Sequence, residues 1–343
     1  MYSRFSSPSS RGRATRISLL GLVLFSFILS GCISIPLSSH RSANLKTETL
    51  VEADHFYTTD SVLMVELNGE LNDEPETGGF LSKPGNLVVL KDALKKAEKD
   101  PFIQAVLVRI DSPGGSVTAS DLIYTELKRF KEHTKKKVVA VFMGTAASGG
   151  YYAAMAADYI VVHPTTVTGS IGVISMSPDL SGLAKLARVD MRVIKSGEHK
   201  DIGSMWREMD PAEREILQGI INTMYERFLK VVGEGRPKLS PEKIRQLADG
   251  RIYTGAQAVE LGLADEEGYI EDAFKKARDL AGLKDAALVA YTQPGDYKGH
   301  YYAEGPAGTP TAGASQPGQS LLNIQLPSPT VSAGNGFYYL WRP

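Results

Sequence analysis

The sequence predicts an α/β fold, a mainly parallel sheet built from βαβ units with a helical C-terminal part. Three observations predict it. Near-continuous apolar runs at Ala105 to Ile110, Val138 to Phe142 and Tyr159 to Val162 have the length and composition of strands covered on both faces. Between them lie stretches of helical periodicity, Leu87 to Ala97 with apolar residues at 87, 90, 94 and 97, and Val117 to Glu132. From 210 to 281 the signals become mostly helical, which sets the second half apart from the alternating first half.

The elements follow in order. A first core strand is expected at Val62 to Leu67, and the alternation that follows implies right-handed crossovers. A further strand is read at Met191 to Ile194. Asp210-Pro211-Ala212-Glu213 supplies an N-cap, a proline in the first turn and an acid at the third position, so a helix should run to about Val232. Its stripe of Ile216, Ile220, Met224, Phe228 and Val231 needs an apolar partner. Ser240-Pro241-Glu242 opens a second helix that Gly250 ends, Thr254 opens a third that Gly262 stops, and Ile270 to Ala281 forms a fourth. From Gln293 onward proline, glycine, serine, alanine and threonine dominate, a composition that cannot bury enough apolar surface to fold alone. The final Phe337-Tyr338-Tyr339-Leu340-Trp341 is strongly apolar and is expected to add as a short strand to the sheet of its own or a neighbouring subunit. The folded domain is therefore read as 61–292 and the tail as 293–343.

Composition bounds the function. With 343 residues, 43% hydrophobic and a formal net charge of −1, the chain can bury a globular core and lacks the basic footprint of a nucleic-acid binder. Arg4, Arg11, Arg13 and Arg16 precede an apolar stretch from Ile17 to Leu29 that is short for a membrane span and flanked like a secretory signal. It ends at Leu29-Ser30-Gly31-Cys32, which resembles a bacterial lipoprotein cleavage box. The resemblance implies that residues 1–31 are removed, that Cys32, the sole cysteine, carries the lipid, and that 32–60 tether the domain to a membrane outside the cytoplasm.

The chemistry is concentrated in loops. Thr145-Ala146-Ala147-Ser148-Gly149-Gly150-Tyr151-Tyr152 turns from a buried strand into a small-residue helix, the corner where hydrolases set a nucleophile. The plainer alternative for Ser148 is a helix N-cap with glycines for close packing. Upstream, Asp111-Ser112-Pro113-Gly114-Gly115-Ser116 follows another buried strand, so both loops should reach the same sheet edge. Gly115 or Gly114, with Gly149, would then supply the paired N–H groups of an oxyanion hole. A serine needs a base, and the six histidines offer no obvious one, His163 and His199 being the best placed. Lysine serves if burial lowers its pKa from about 10.4 toward neutrality, and Lys195 and Lys200 lie in one polar loop.

Five motifs in order resemble the signal peptide peptidase A family. They are D-S-P-G-G-S-V at 111 to 117, A-S-G-G-Y-Y at 147 to 152, T-G-S-I-G-V at 168 to 173, K-S-G-E-H-K-D at 195 to 201 and D-G-R-I-Y-T-G-A-Q-A at 249 to 258. The resemblance runs from about Val62 to Leu283 and implies a Clp protease/crotonase-like fold with a serine-lysine dyad. It implies Ser148 as nucleophile, Lys200 as general base and Ser170 as the hydroxyl that orients that lysine. No metal or organic cofactor is implied. No internal repeat is visible, so the chain resembles the short form, in which neighbouring subunits of a closed homo-oligomeric ring complete each other's dyad. Apolar peptides, signal peptide remnants among them, are the expected substrates. Two rivals stand beside this: a crotonase-like acyl-thioester enzyme using the same N–H pair, and a noncatalytic scaffold lipoprotein. Arg251 of the D-G-R motif is expected in a structural ion pair.

Overall fold

The computed structural model describes residues 45–73, 84–292, 298–303 and 336–341, all within one compact unit spanning 44–343. β1 (Lys46–Val51) and β2 (Ser61–Asn68) lead to α1 (Asn86–Lys99), and β3 (Ile103–Ser112) with the short β4 (Gly114–Ser116) leads to α2 (Val117–Thr134). β5 (Lys137–Ala147) turns into α3 (Gly149–Ala154), and β6 (Tyr159–Val162), β7 (Val167–Gly169) and β8 (Ile174–Ser175) precede α4 (Ser181–Ala187). The remainder is α5 (Pro211–Gly235), α6 (Pro241–Leu247), β9 (Ile252–Thr254), α7 (Gly255–Glu260), β10 (Glu266–Glu267), α8 (Ile270–Ala281), β11 (Ala287–Thr292) and β12 (Phe337–Leu340).

A nine-stranded sheet runs in the order β1-β11-β2-β3-β5-β6-β10, with β7 on β5 and β9 on β7. The strands from β11 through β10 pair in parallel, while β1 on β11 and β9 on β7 are antiparallel. The apolar runs follow from this arrangement. Val106, Val138 and Ile160 point to a face covered by Leu90, Leu127 and Phe228 from α1, α2 and α5. Leu107, Val139 and Val161 point to the other face, under Ile270, Phe274 and Ala277 of α8. Alternate residues of each strand are thus buried on opposite faces, each apolar side chain contributing about 1.5–3 kcal/mol relative to exposure. α5 starts where its capping residues put it: Asp210 accepts from the Ala212 N–H at 2.7 Å and Glu213 from the Asp210 N–H at 3.3 Å.

Three local readings are revised, and a fourth is narrowed to one of its two alternatives. The stretch expected as a tether, 32–60, contains β1, whose Lys-Thr-Glu alternation suits an edge strand with one face in solvent. Residues 1–44, including Cys32 and the signal, lie outside the described residues. β5 does not stop at Phe142 but continues to Ala147 past a register shift between Ile110 and Ser112, held by the Thr145 N–H donating to Asp111 at 2.9 Å. Met191 to Ile194 forms no strand; Ile194 is fully exposed at 101%, with no neighbouring strand to pair with. The terminal aromatic run forms β12 within its own chain, in a second sheet ordered β4-β12-β8.

Candidate active site

The carboxyl ends of β3, β5 and β7 bring three loops together. The extension of β5 carries Ala146 to a position level with Ser112, so the diglycine loop and the Ser148 corner meet. β7 pairs with the same extension, Ala147 facing Gly169, and the Ser148 N–H donates to the Gly169 carbonyl at 2.8 Å. Ser170 follows directly and its N–H donates to the Arg251 carbonyl at 2.8 Å. The sheet therefore sets Ser148 and Ser170 side by side, both lining one cavity of about 420 Å³.

Both serines are strained. Ser148 has φ 52° and ψ −114°, and Ser170 has φ 49°, left-handed values that cost a non-glycine residue roughly 1–3 kcal/mol. Ser148 is buried, and its side chain makes no cap hydrogen bond to α3, so the N-cap alternative fails. A hydroxyl held at a sharp strand-to-helix turn with no structural bond of its own is what nucleophilic attack needs. α3 is six residues long, so local N–H groups rather than a long helix dipole face this corner.

The diglycine loop is shaped for close approach. The Gly114 N–H is taken by the Ser112 hydroxyl at 3.1 Å, which removes Gly114 as an oxyanion donor. Leu71 donates to the Gly114 carbonyl at 2.7 Å and accepts from the Ser116 N–H at 3.0 Å. Strand alternation then turns the Gly115 N–H the other way, toward β12. Gly114 sits at φ 103°, where a Cβ would stand 1.9 Å from the Tyr339 carbonyl oxygen and 2.7 Å from the Gly149 nitrogen. A Cβ on Gly149 would lie 3.0 Å from the same Tyr339 oxygen. Gly115 and Gly149 thus frame one carbonyl, and glycine at 114 is what lets it in.

That carbonyl belongs to β12, which lies antiparallel between β4 and β8 with Tyr339 opposite Gly115, Leu340 opposite Gly114, and Phe337 opposite Ser175. Trp341 donates to the Pro113 carbonyl at 2.8 Å, and Leu340 lines the cavity with Ser148 and Ser170. An extended peptide segment therefore runs across the serine corner. Residues that carry this groove, Leu71, Ser112 and the edge of β8, were not singled out by sequence; Ser112 sits inside the D-S-P-G-G motif, but Leu71 and β8 are too short and too distant to signal themselves.

The lysines stand apart. No lysine lines the cavity. Lys200 is exposed in the turn segment after Gly197, and among the described residues its amine has no partner. Lys195 is tied to the Glu198 carbonyl at 2.6 Å and to Asp201 at 2.7 Å. Asp201 in turn is gripped by Arg207, whose guanidinium also holds buried Glu213; these bonds keep both carboxyls below the usual carboxylate range. Arg251 pairs with Asp249, as expected. Among the described residues, no three His, Cys, Asp or Glu side chains cluster as metal ligands would.

A buried serine at a strained strand-to-helix corner, next to a glycine loop that admits an extended segment's carbonyl, defines the class as serine hydrolases of the Clp-protease type of fold. Comparison with known proteins narrows this. The chain matches peptidase family S49 over residues 130–284 and the Clp protease family over 88–166. A putative protease, slr0021 of Synechocystis sp., is 48% identical over 208 residues, covering 61% of this chain and 73% of that protein. The putative signal peptide peptidase SppA of Enterococcus faecium is 35% identical over 250 residues, 73% of this chain and 71% of its own length. Protease 4 of Salmonella typhi is 32% identical across 84% of this chain, which spans 46% of that longer protein. Among solved structures, a ClpP1 mutant from Listeria monocytogenes aligns with a TM-score of 0.40 and 21% identity over 62% of this chain and 94% of its own. The chain belongs to peptidase family S49, the signal peptide peptidase A family, and is a serine peptidase.

Proposed function

We propose that the protein is a membrane-tethered, exported endopeptidase that cuts apolar peptides such as signal peptide remnants, with Ser148 as nucleophile and Lys200 of a neighbouring subunit as general base. The observation that carries this reading is β12, an extended segment seated between β4 and β8 with its carbonyl at Gly115 and Gly149. A groove completed by an added strand binds main chain through ladder hydrogen bonds, which suits a peptide and not an acyl thioester. The Enterococcus faecium relative, named a putative signal peptide peptidase, points to the same substrates.

In this reading the Ser148 hydroxyl attacks the substrate carbonyl carbon while the Lys200 amine takes its proton. The Gly115 and Gly149 N–H groups hold the oxyanion. The lysine returns the proton to the departing amine, and water then opens the acyl-serine ester with the same amine as base. The Ser170 hydroxyl, beside Ser148 in the cavity, orients that amine.

Two features support a second copy of the chain as the lysine donor. The cavity at Ser148 holds no lysine. The segment carrying Lys200 also exposes Val189, Met191, Val193 and Ile194, an apolar surface suited to an interface. A head-to-tail exchange of this kind closes into a ring or polymerises, and a ring is the form proposed. The tether is Cys32, acylated at an envelope membrane; no helix among the described residues is long and apolar enough to cross a bilayer.

Peptide cleavage by the full chain beside its Ser148→Ala variant tests the reading. The variant should fold normally and fall to background. Full turnover by a folded Ser148→Ala protein overturns the mechanism, and mass spectrometry showing a mature N-terminus other than acylated Cys32 overturns the tether alone.

A further inference from the structure

β5 holds more residues than its pairing with β3 needs. Ile110 faces Phe142 and Ser112 faces Ala146, so the single residue Asp111 of β3 stands opposite Met143, Gly144 and Thr145 of β5. The two extra residues make a bulge near the carboxyl end of the sheet, with Gly144 exposed. In unbroken register Gly144 would face Ser112, and Ser148 would count level with Ser116; the bulge brings Ser148 back level with Gly114. Two strand residues span about 6.6 Å, the difference between a serine at the glycine loop and one beyond it. The gap is closed: a Cβ on Gly114 would fall 2.7 Å from the Gly149 nitrogen. Because the shift is by two, the faces of the strand are kept, and Phe142 and Ala146 enter the same core.

Side chains hold the bulge where the ladder is interrupted. From β3, the Asp111 carboxylate accepts the Thr145 N–H at 2.9 Å. From the other side, the buried Thr166 hydroxyl lies 3.2 Å from the Phe142 carbonyl and donates to the Met143 carbonyl, and the Thr168 hydroxyl donates to the Ala146 carbonyl at 2.6 Å. The bulge passes close under Asp111, since a Cβ on Gly144 would stand 3.3 and 3.6 Å from the two carboxylate oxygens. Before the bulge, Val138 to Phe142 are buried in the cores of both faces and owe nothing to these bonds.

Building on the peptidase reading, we infer that Asp111 is a positioning residue for the reaction: its carboxylate pins the bulge that draws Ser148 back to the glycine loop, with Thr166 as its counterpart across β5. Asp111 does not line the cavity, so it acts on Ser148 through the backbone of 143–148. Bulges beside active sites re-aim side chains in this way. The groove that receives an extended segment is built on Leu71, β4 and β8, none of which rests on the bulge. Loosening the bulge should therefore misplace the nucleophile while leaving the groove as it is.

The test uses the full chain with one peptide substrate and a peptidyl phosphonate of the same sequence. Asp111→Ala should lower kcat about 30-fold and slow Ser148 labelling in step, with KM within about twofold of wild type. Asp111→Asn, whose amide oxygen can accept the same N–H, should bring both rates back to within about threefold. Hydrogen exchange should quicken in peptides covering 143–148 of the alanine variant and stay level over 137–142. Thr166→Val should reproduce the loss of kcat at unchanged KM, and it decides the matter if Asp111→Ala does not fold. Wild-type kcat and labelling in folded Asp111→Ala overturn the inference. An asparagine variant as slow as the alanine one overturns it too, since charge and not the hydrogen bond would then matter, as does a rise in KM that matches the loss of kcat, which would put Asp111 in substrate binding. A folded wild-type protein that neither cleaves peptide nor takes the phosphonate overturns the peptidase reading itself.

Discussion

At the scale of single residues, Gly114 shows how little space the site leaves. A methyl group there would collide with both the bound carbonyl and the Gly149 nitrogen, at a φ that already disfavours a side chain. Gly114→Ala should lower kcat/KM about 100-fold, the order of losing an oxyanion donor, while the far side of the sheet folds as before. Steady-state kinetics and circular dichroism check it, and wild-type turnover would mean the substrate carbonyl lies elsewhere. The two lysines of the polar loop make a second contrast. Lys195 serves Asp201 and the Glu198 carbonyl, so Lys195→Ala should be mild, whereas Lys200→Ala should be as damaging as Ser148→Ala. Members of one catalytic unit are not additive, so the double variant at 148 and 200 should be little worse than either single one. A lethal Lys195→Ala with an active Lys200→Ala reverses the assignment of the base.

At the scale of elements, the segment bearing Lys200 is moored to α5 by one fork: Arg207 bridges Asp201 and Glu213, and Glu213 also caps the helix. Both carboxyls have lowered pKa values because Arg207 hydrogen-bonds their charged forms. A lowered acid contributes its stability fully above its unfolded pKa, about 3.9 for Asp and 4.3 for Glu, and loses it as pH falls through the lower folded value. The mooring should therefore hold from pH 8 to 5 and release only below about 4. Trp206, partly exposed beside Arg207, reports it: its fluorescence in a Trp341→Phe background should stay level across the upper range and shift in acid. Arg207→Gln should remove that transition and cut activity about tenfold by misplacing the base; undiminished activity would show that the mooring does not position Lys200. The same scale explains what could be read in advance. Strands such as Val138 to Phe142 declare themselves because both faces are buried, and capped helices such as the one from Asp210 declare their starts. β1 does not, since an edge strand alternates like a loop, and Met191 to Ile194 has strand composition but no partner. Ser148 and the glycine loop could be singled out because a strand-to-helix corner among small residues and a diglycine leave a local sequence mark, whereas Ser170 and the role of Lys200 rest only on the motif resemblance. The packing of Tyr339 against Tyr152 and Phe228 could not be read in advance, because an apolar stripe does not say which distant segment covers it.

At the scale of the whole molecule, the chain sets Ser148 and Ser170 in one cavity but keeps Lys200 outside it. If the base is exchanged between neighbours, catalytic competence is a property of the ring and defects should complement. Ser148→Ala chains still offer Lys200, and Lys200→Ala chains still offer Ser148. Co-expressed in equal amounts and mixed at random around a ring, a site is intact when a chain with its serine lies next to one with its lysine, so about a quarter of wild-type activity should return. Each variant alone should remain at background, and mixing the two after separate assembly should restore activity only as fast as subunits exchange. Size-exclusion chromatography with light scattering would report the closed assembly, and diluting the ring to monomers should abolish turnover without unfolding the sheet. Failure of the co-expressed pair to recover, with both variants folded and assembled together, would place serine and lysine in one subunit. The polar loop would then have to close over its own cavity, and the apolar surface from Val189 to Ile194 would turn inward with it.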